Sequence, residues 1–309
     1  MTVRNNIPIY SICWLNHAEG GLIGHLYEPE SVEELKNICS ILYEEGKTFD
    51  LIGHTSNIYF LPNYSVDYMV STRQCNQYVE TYDEIICDCG VSVMKLARKM
   101  VKDGIKGFEG LIDLPGTVAA AVYGNASCYN CSINALLVSC ELLRPNGEIV
   151  VLSPKDLRLS KRSSVLKRSE LTGVILSVIL RKEKGNVEDI KKLSEQIHLV
   201  RKVTQPGPRD NLGSIYAVSN GWSLYSFIPR IVAKSITLFY NLFGKRRQQI
   251  AILLKLLGAS DLMPYVHSWN RFIWKDERAH ELFWKFHKLH QKMFKKSQFE
   301  IEIKGCHQE

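Results

Sequence analysis

Residues Leu114 to Asn130 read LPGTVAAAVYGNASCYN. A proline–glycine turn opens the stretch, and Thr117, Ala119, Ala120, Ala121, Gly124, Ala126 and Ser127 follow. Small side chains at this density let a backbone lie close to a flat ligand or to another backbone, and the residues alone leave both readings open. Upstream, Phe49 to Asn57 (FDLIGHTSN) reads as a short buried strand running into a turn. Gly53, His54, Thr55, Ser56 and Asn57 would gather backbone N–H groups, hydroxyls and an amide into a concave nest suited to a pyrophosphate. Downstream, Asn211 to Tyr216 (NLGSIY) places Gly213-Ser214 at the start of a short strand.

Around these segments, periodicity predicts alternating helices and strands. Ser31 and Glu34 form a capping box for a helix carrying Val32, Leu35, Ile38, Cys39 and Leu42 on one face, with Gly46 as its stop. EIICDCGV reads as a strand ended by Gly90, and Ser92 opens a second helix through Val93, Leu96, Ala97, Met100 and Val101 up to Gly104. Two strands joined by PNGE are expected over 136–152, then the apolar strand GVILSVILR. A helix over 187–203 would bury Ile190, Leu193, Ile197 and Val200, and QPGPRDN marks a boundary. Two amphipathic helices breaking near Gly244 are expected over 222–258, packed on the body in preference to lying on a membrane surface. A last helix is expected over 277–296, with His280, His287 and His290 on a solvated surface. The terminal QFEIEIKG alternates, Phe299, Ile301 and Ile303 facing one way and Glu300 and Glu302 the other. Strand–helix alternation over the first 200 residues argues for an α/β or α+β fold.

The 309 residues are 45% apolar and 23% charged, which excludes wholesale disorder. No window offers the ~18 uncharged residues a membrane span needs. MTVRNNIPIY lacks the apolar stretch of a secretory leader, so the nine cysteines are expected as reduced thiols in a cytoplasmic protein. From Trp222 onward there are 15 basic against 7 acidic residues, while the first 221 residues hold 24 against 25. A basic final third attracts phosphates, and without a zinc finger, RNP motif or arginine-rich arm a nucleic-acid partner is not expected. Cys128 and Cys131 have redox spacing, but a zinc site would need a second pair and none is suitably placed, so no metal is expected.

Taken in order, the segments resemble the UDP-N-acetylenolpyruvoylglucosamine reductase (MurB) family, within the FAD-binding flavoproteins that include vanillyl-alcohol oxidase. The family's phosphate loop, approximately G-G-G-S-N, is similar to Gly53–Asn57. Its flavin segment, approximately I-P-G-T-V-G-G-A-x-x-x-N-A-G-A-Y-G, is matched at Pro115, Gly116, Thr117, Val118, Asn125, Ala126 and Tyr129, and GFEGL (Gly107 to Leu111) precedes it. The Tyr-Arg-x-Ser-x-Phe-Lys segment resembles Lys161 to Lys167, keeping Arg162, Ser164 and Lys167 without the tyrosine. GVILSVILR, with Ile175, resembles the strand beside the flavin. Gly-Ser-x-Phe-Lys-Asn-Pro resembles Gly213 to Ser219, which keeps the serine and loses the lysine and asparagine; SQFEIEIKG places Glu300 on the family's carboxylate. SWNRFIWK shares only Phe272-Ile273 with the family pattern. The resemblance covers about 30–305, strong over 50–215 and weak over 220–270.

The resemblance implies an α+β protein: a two-part FAD-binding domain (1–75 and 76–204) followed by a smaller, divergent substrate domain (205–309). It implies non-covalent FAD, since the superfamily's histidyl linkage falls at Ser56, and NADPH as reductant. It implies reduction of a nucleotide-sugar enolpyruvyl ether for peptidoglycan synthesis. Arg162 would neutralise the substrate carboxylate, Ser214 would deliver a proton to carbon, and Glu300 would hydrogen-bond the carboxylate or assist the relay. A carboxyl beside anionic substrate groups is expected to have a raised pKa. Two alternatives remain: an FAD enzyme acting on a related nucleotide sugar in surface-polysaccharide synthesis, and a flavin-binding protein without turnover that docks through 222–258.

Overall fold

The computed structural model describes residues 1–217, 246–294 and 298–305, with backbone only at 246–249. The chain divides into two units. The first comprises Met1–Ile12, Gly20–Thr55 and Asn63–Gln205, the second Cys13–Glu19, Ser56–Pro62 and Pro206–Glu309.

The first unit holds two sheets. In one, Thr2–Pro8 pairs antiparallel with Leu22–Glu28, which runs parallel to Val66–Ser71, which in turn runs parallel to Phe49–Ile52. The crossover between strands Leu22–Glu28 and Phe49–Ile52 is the helix Val32–Glu44, capped by Ser31, whose Oγ accepts from the Glu34 N–H at 3.2 Å. Its burial of Leu35, Ile38, Cys39 and Leu42 follows the helical period. The capping box is altered: Glu34 Oε2 accepts from the Glu30 N–H at 2.9 Å, one residue before the expected partner.

The second sheet is antiparallel, in the order Ile149–Leu152, Leu137–Leu143, Val174–Arg181, Glu84–Asp88, Tyr78–Glu80. Val174–Arg181 lies at its centre, and its apolar run reflects burial on both faces. The helix Val93–Lys102, capped by Ser92, buries Val93, Leu96, Ala97, Met100 and Val101 into the same aliphatic core. The helix Val187–Thr204 is turned from the expected face. Ile190, Ser194 and Ile197 are buried, whereas Leu193 and Val200 are 46% and 48% exposed.

In the second unit, Glu302–Lys304 pairs parallel with Ile58–Phe60, and Val266–Ser268 pairs with Arg271–Phe272. The terminal strand is shorter than its alternating sequence suggests. Glu300 and Ile301 form a bend, because the Glu300 and Ile301 N–H groups both turn to the Ile215 carbonyl before pairing with Ile58–Phe60 begins. The helix Ala279–Met293 is buried along one side by His280, Leu282, Phe283, Phe286, His287, His290 and Met293. The expected solvated histidine surface is therefore corrected. Positions 280, 283, 287 and 290 share one helical face, and that face is the core.

Of the expected helices over 222–258, the part from 222 to 245 lies outside the described residues; the remainder holds the helix Arg246–Leu256. Among the described residues no helix is long and apolar enough to cross a membrane.

Candidate active site

In the first unit, two parallel strands end side by side, Ile52 opposite Ser71. The chain leaving the first becomes Gly53-His54-Thr55; the chain leaving the second delivers Arg73. Arg73 Nε donates to the Gly53 carbonyl at 2.8 Å, and Arg73 Nη2 donates to the Ile12 carbonyl at 2.5 Å. A guanidinium thus fixes the turn and puts positive charge beside it, as a phosphate-binding nest requires. Thr55 is buried with φ +55° and its hydroxyl donates to the His54 carbonyl at 2.8 Å. Burial, then the charges of Arg73 and Lys95, hold the His54 imidazole below its ordinary pKa. Sequence reasoning missed Arg73, because VDYMVS carries no alternating pattern from which to place the strand that delivers it.

Thr117 stands directly against Gly53. A Cβ built on Gly53 would lie 2.8 Å from Thr117 Oγ1, so only glycine admits this contact. Thr117 Oγ1 caps the short helix Val118–Tyr123 by accepting from the Ala120 N–H at 3.3 Å. Pro115 and Gly116 lead into this cap, and the Gly116 carbonyl accepts from Val93 N–H at 3.1 Å. After the helix, Asn125 adopts φ +43° and its Nδ2 donates to the Ser160 carbonyl at 2.7 Å. Ala126 N–H donates to the Ala121 carbonyl at 2.8 Å. Tyr129 sits in the next turn with φ +46°. Ile175 is buried on the central strand of the second sheet.

Arg162 belongs to this unit too. It occupies the turn between Ser160 and Ser163, whose backbones exchange hydrogen bonds of 3.0 and 3.1 Å, and has φ +58°. Buried Ser164 donates its hydroxyl proton to the Tyr123 carbonyl at 2.6 Å. Through Asn125 and Ser164, the Arg162 turn is tied to the end of the small-residue helix.

In the second unit, Ser214 and Glu300 are brought together on adjacent backbones. Glu300 N–H donates to the Ile215 carbonyl at 2.8 Å, and Tyr216 bridges Phe299. Asn270 clamps the same stretch: its Oδ1 accepts from Tyr216 N–H at 2.6 Å and its Nδ2 donates to the Tyr216 carbonyl at 3.0 Å. Asn270 was not singled out from sequence; nothing local distinguishes it within SWNRFIWK. Ser56 and Asn57 fall in this unit as well. Asn57 Nδ2 donates to the Glu300 carbonyl at 3.2 Å, and the Asn57 carbonyl accepts from Glu302 N–H at 2.9 Å. Val218 and Ser219, the end of the expected Gly-Ser motif, lie outside the described residues.

The first unit's residues fit a flavin dinucleotide. The glycine–threonine contact brings the two small-residue turns together, and a cation stands beside the first. Asn125 Oδ1 is buried with no partner among the described residues, which leaves an acceptor for the donor edge of an isoalloxazine. Fold and site define a flavoprotein with a two-part FAD-binding domain. A family model for the FAD binding domain matches residues 24–153. The UDP-N-acetylenolpyruvoylglucosamine reductase of Caldicellulosiruptor saccharolyticus is 28% identical over 200 residues, 64% of each chain. That of Bacillus pumilus is 28% identical over 228 residues, 74% of each chain. The chain thus spans about two thirds to three quarters of the length of these relatives. The crystal structure of the Thermus caldophilus enzyme superposes with a TM-score of 0.66 at 20% identity, covering 99% of this chain and all of the other, which establishes the fold. The chain thus carries an FAD binding domain over residues 24–153 and is similar to UDP-N-acetylenolpyruvoylglucosamine reductases in sequence and fold.

Proposed function

We propose that the protein is an FAD-dependent oxidoreductase that reduces the enolpyruvyl ether of UDP-N-acetylenolpyruvoylglucosamine at the expense of NADPH, as a step of peptidoglycan precursor synthesis. The observation that carries the reading is the pairing of Ser214 with Glu300 on hydrogen-bonded backbones, in a chain whose other unit fits FAD. Gly53, His54, Thr55, Pro115, Gly116, Thr117, Asn125, Ala126, Tyr129 and Ile175 would hold the cofactor from the first unit. Bound FAD would supply hydride transfer from the nicotinamide to the enolpyruvyl carbon.

The protein's own contribution is electrostatic and protonic. Arg162, set in a left-handed turn that fixes its backbone, would bind the substrate carboxylate and offset charge developing there. Ser214 would give its hydroxyl proton to the adjacent carbon. A serine hydroxyl is a weak acid, and the Glu300 carboxyl on the neighbouring backbone is the group that would assist it. Asn270 and Asn57 would keep Ser214 and Glu300 in register, since they hydrogen-bond the backbone at Tyr216 and Glu300 respectively.

Stopped-flow absorbance tests this reading by separating the half-reactions. In Ser214→Ala, flavin bleaching by NADPH should persist while reoxidation by the enolpyruvyl substrate slows by about 10²–10⁴-fold. Equal loss of both steps would contradict the acid role. The second reading, a related nucleotide-sugar substrate, rests on the replacement of the family's tyrosine by Lys161. It predicts normal bleaching by NADPH and no reoxidation of the wild-type flavin by UDP-N-acetylenolpyruvoylglucosamine.

A further inference from the structure

In the Cys128-Tyr129-Asn130-Cys131 turn, Tyr129 would hold the cofactor, but the two cysteines have no part in the chemistry above, and they are arranged as a reactive pair. Ser127–Cys128 and Cys131–Ser132 form a two-stranded hairpin with Cys128 directly opposite Cys131. Tyr129 and Asn130 have φ of +46° and +64°, the left-handed pair that closes a two-residue hairpin. Opposed residues in such a ladder have Cα atoms ~4.5–5.5 Å apart, within the range that disulfides span.

The two sulfurs have different neighbours. Arg201 Nη1 donates to Cys128 Sγ at 3.0 Å, while Arg201 Nη2 is anchored on the Asp113 carbonyl at 3.0 Å. A guanidinium held in place on this sulfur puts a fixed positive charge against Cys128 that Cys131 lacks. The Cys131 thiol instead donates to Oε2 of buried Glu109 at 3.6 Å, and Gly110 N–H donates to Cys131 Sγ at 3.2 Å. Burial is the main influence raising the Cys131 thiol pKa. Gly110 is required here: a Cβ would lie 2.2 Å from the Cys128 carbonyl oxygen and 3.1 Å from Cys131 Sγ. Both cysteines are partly exposed, whereas Cys39, Cys75, Cys87, Cys89 and Cys140 are buried.

We propose that Cys128 and Cys131 form a redox-active dithiol that undergoes thiol–disulfide exchange with small disulfides, Cys128 attacking and Cys131 resolving. The Cys128 thiolate attacks one sulfur of the small disulfide; its S–S bond breaks, a thiolate leaves, and a mixed disulfide forms. Glu109 accepts the Cys131 proton, and the Cys131 sulfur attacks Cys128 and expels the second small thiolate. The protein pair gives up two electrons, the small disulfide gains them, and the protons from the two cysteines end on the released thiols.

The test exposes the full-length flavoprotein to oxidised glutathione, quenches with acid and maps cysteine states by peptide mass spectrometry. Wild type should form the Cys128–Cys131 disulfide while the five buried cysteines stay reduced. Cys131→Ser should trap one glutathionyl group on Cys128, and Cys128→Ser should modify Cys131 at least about tenfold more slowly. Arg201→Gln, which removes the cation held against Cys128 Sγ, should slow capture at Cys128 about threefold. The visible flavin spectrum of each variant reports that its first unit is folded. Reaction at Cys128 and Cys131 no faster than at the buried cysteines overturns the proposal, as does an adduct of Cys131→Ser lying elsewhere. The readout is mass, so failure of the reductase reading is a separate result.

Discussion

The two units keep different cores. The first is aliphatic and thiol-rich, with Leu35, Ile38, Cys39, Cys75, Cys87, Cys89, Leu96 and Cys140 in one cluster. The second is built from rings. Tyr216 stacks on His290 at 3.8 Å and hydrogen-bonds His287 Nδ1 at 3.0 Å, while Tyr59 hydrogen-bonds His280 Nδ1 at 3.0 Å. Phe272, Trp274 and Phe283 pack edge-on and tilted around them. Non-directional burial organises the first core; the second adds directional bonds that a change of protonation can break.

The buried thiols of the first core and the buried imidazoles of the second respond to pH with opposite signs. Burial pushes the thiols of Cys39, Cys87 and Cys140 up to about 12 from 9.0. A raised folded value means stability is complete below pH 9 and is lost as pH rises towards 12. Burial pushes His290 down to about 3 from 6.5, and lowers His280 as well. A lowered histidine value means stability is complete above pH 6.5 and is lost as pH falls, because the unfolded chain takes up protons that the core refuses.

The four tryptophans among the described residues, Trp14, Trp269, Trp274 and Trp284, belong to the second unit, so their indole emission follows that unit and flavin absorbance follows the first. The largest expected effect is Phe283→Ala, which should cost about 3–5 kcal/mol in urea unfolding read by indole emission. If the flavin transition moves equally, the contrast between the units fails. Tyr216→Phe removes the hydroxyl bond to buried His287 and should cost about 1–3 kcal/mol by the same probe. Acidification from pH 6.5 should weaken the indole-read transition by up to about 1.4 kcal/mol per pH unit for each of His280 and His290. The flavin-read transition should weaken above pH 9, as the first unit's buried thiols would ionise on unfolding. Thr117→Ala should cost about 1 kcal/mol in the flavin-read transition through loss of the helix cap, whereas Thr117→Ser should lie within a few tenths.

Where one force set the pattern, the sequence was readable. The helices after Ser31 and Ser92 and the strand Val174–Arg181 follow from period and capping alone. The small-residue turns announced a close backbone approach, which the Gly53–Thr117 contact provides. What was hidden depended on partners distant in sequence. Leu193 and Val200 looked apolar-faced but the helix turns Ser194 inward, its hydroxyl donating to the Lys191 carbonyl at 2.8 Å. Histidines read as polar, yet buried imidazoles bonded to tyrosines behave as core. Arg73 and Asn270 act on backbone carbonyls and amides 20 and 54 residues away, and no local pattern encodes that.

Strand Ile58–Phe60 finds its partner in Glu302–Lys304, roughly 240 residues later. At ~5–20 residues per second on the ribosome, its edge waits on the order of 12–50 seconds for the pairing segment to be made. The nascent chain therefore carries an open β-edge through most of its synthesis, and any shortening from the carboxyl end past residue 302 would leave that edge exposed for good.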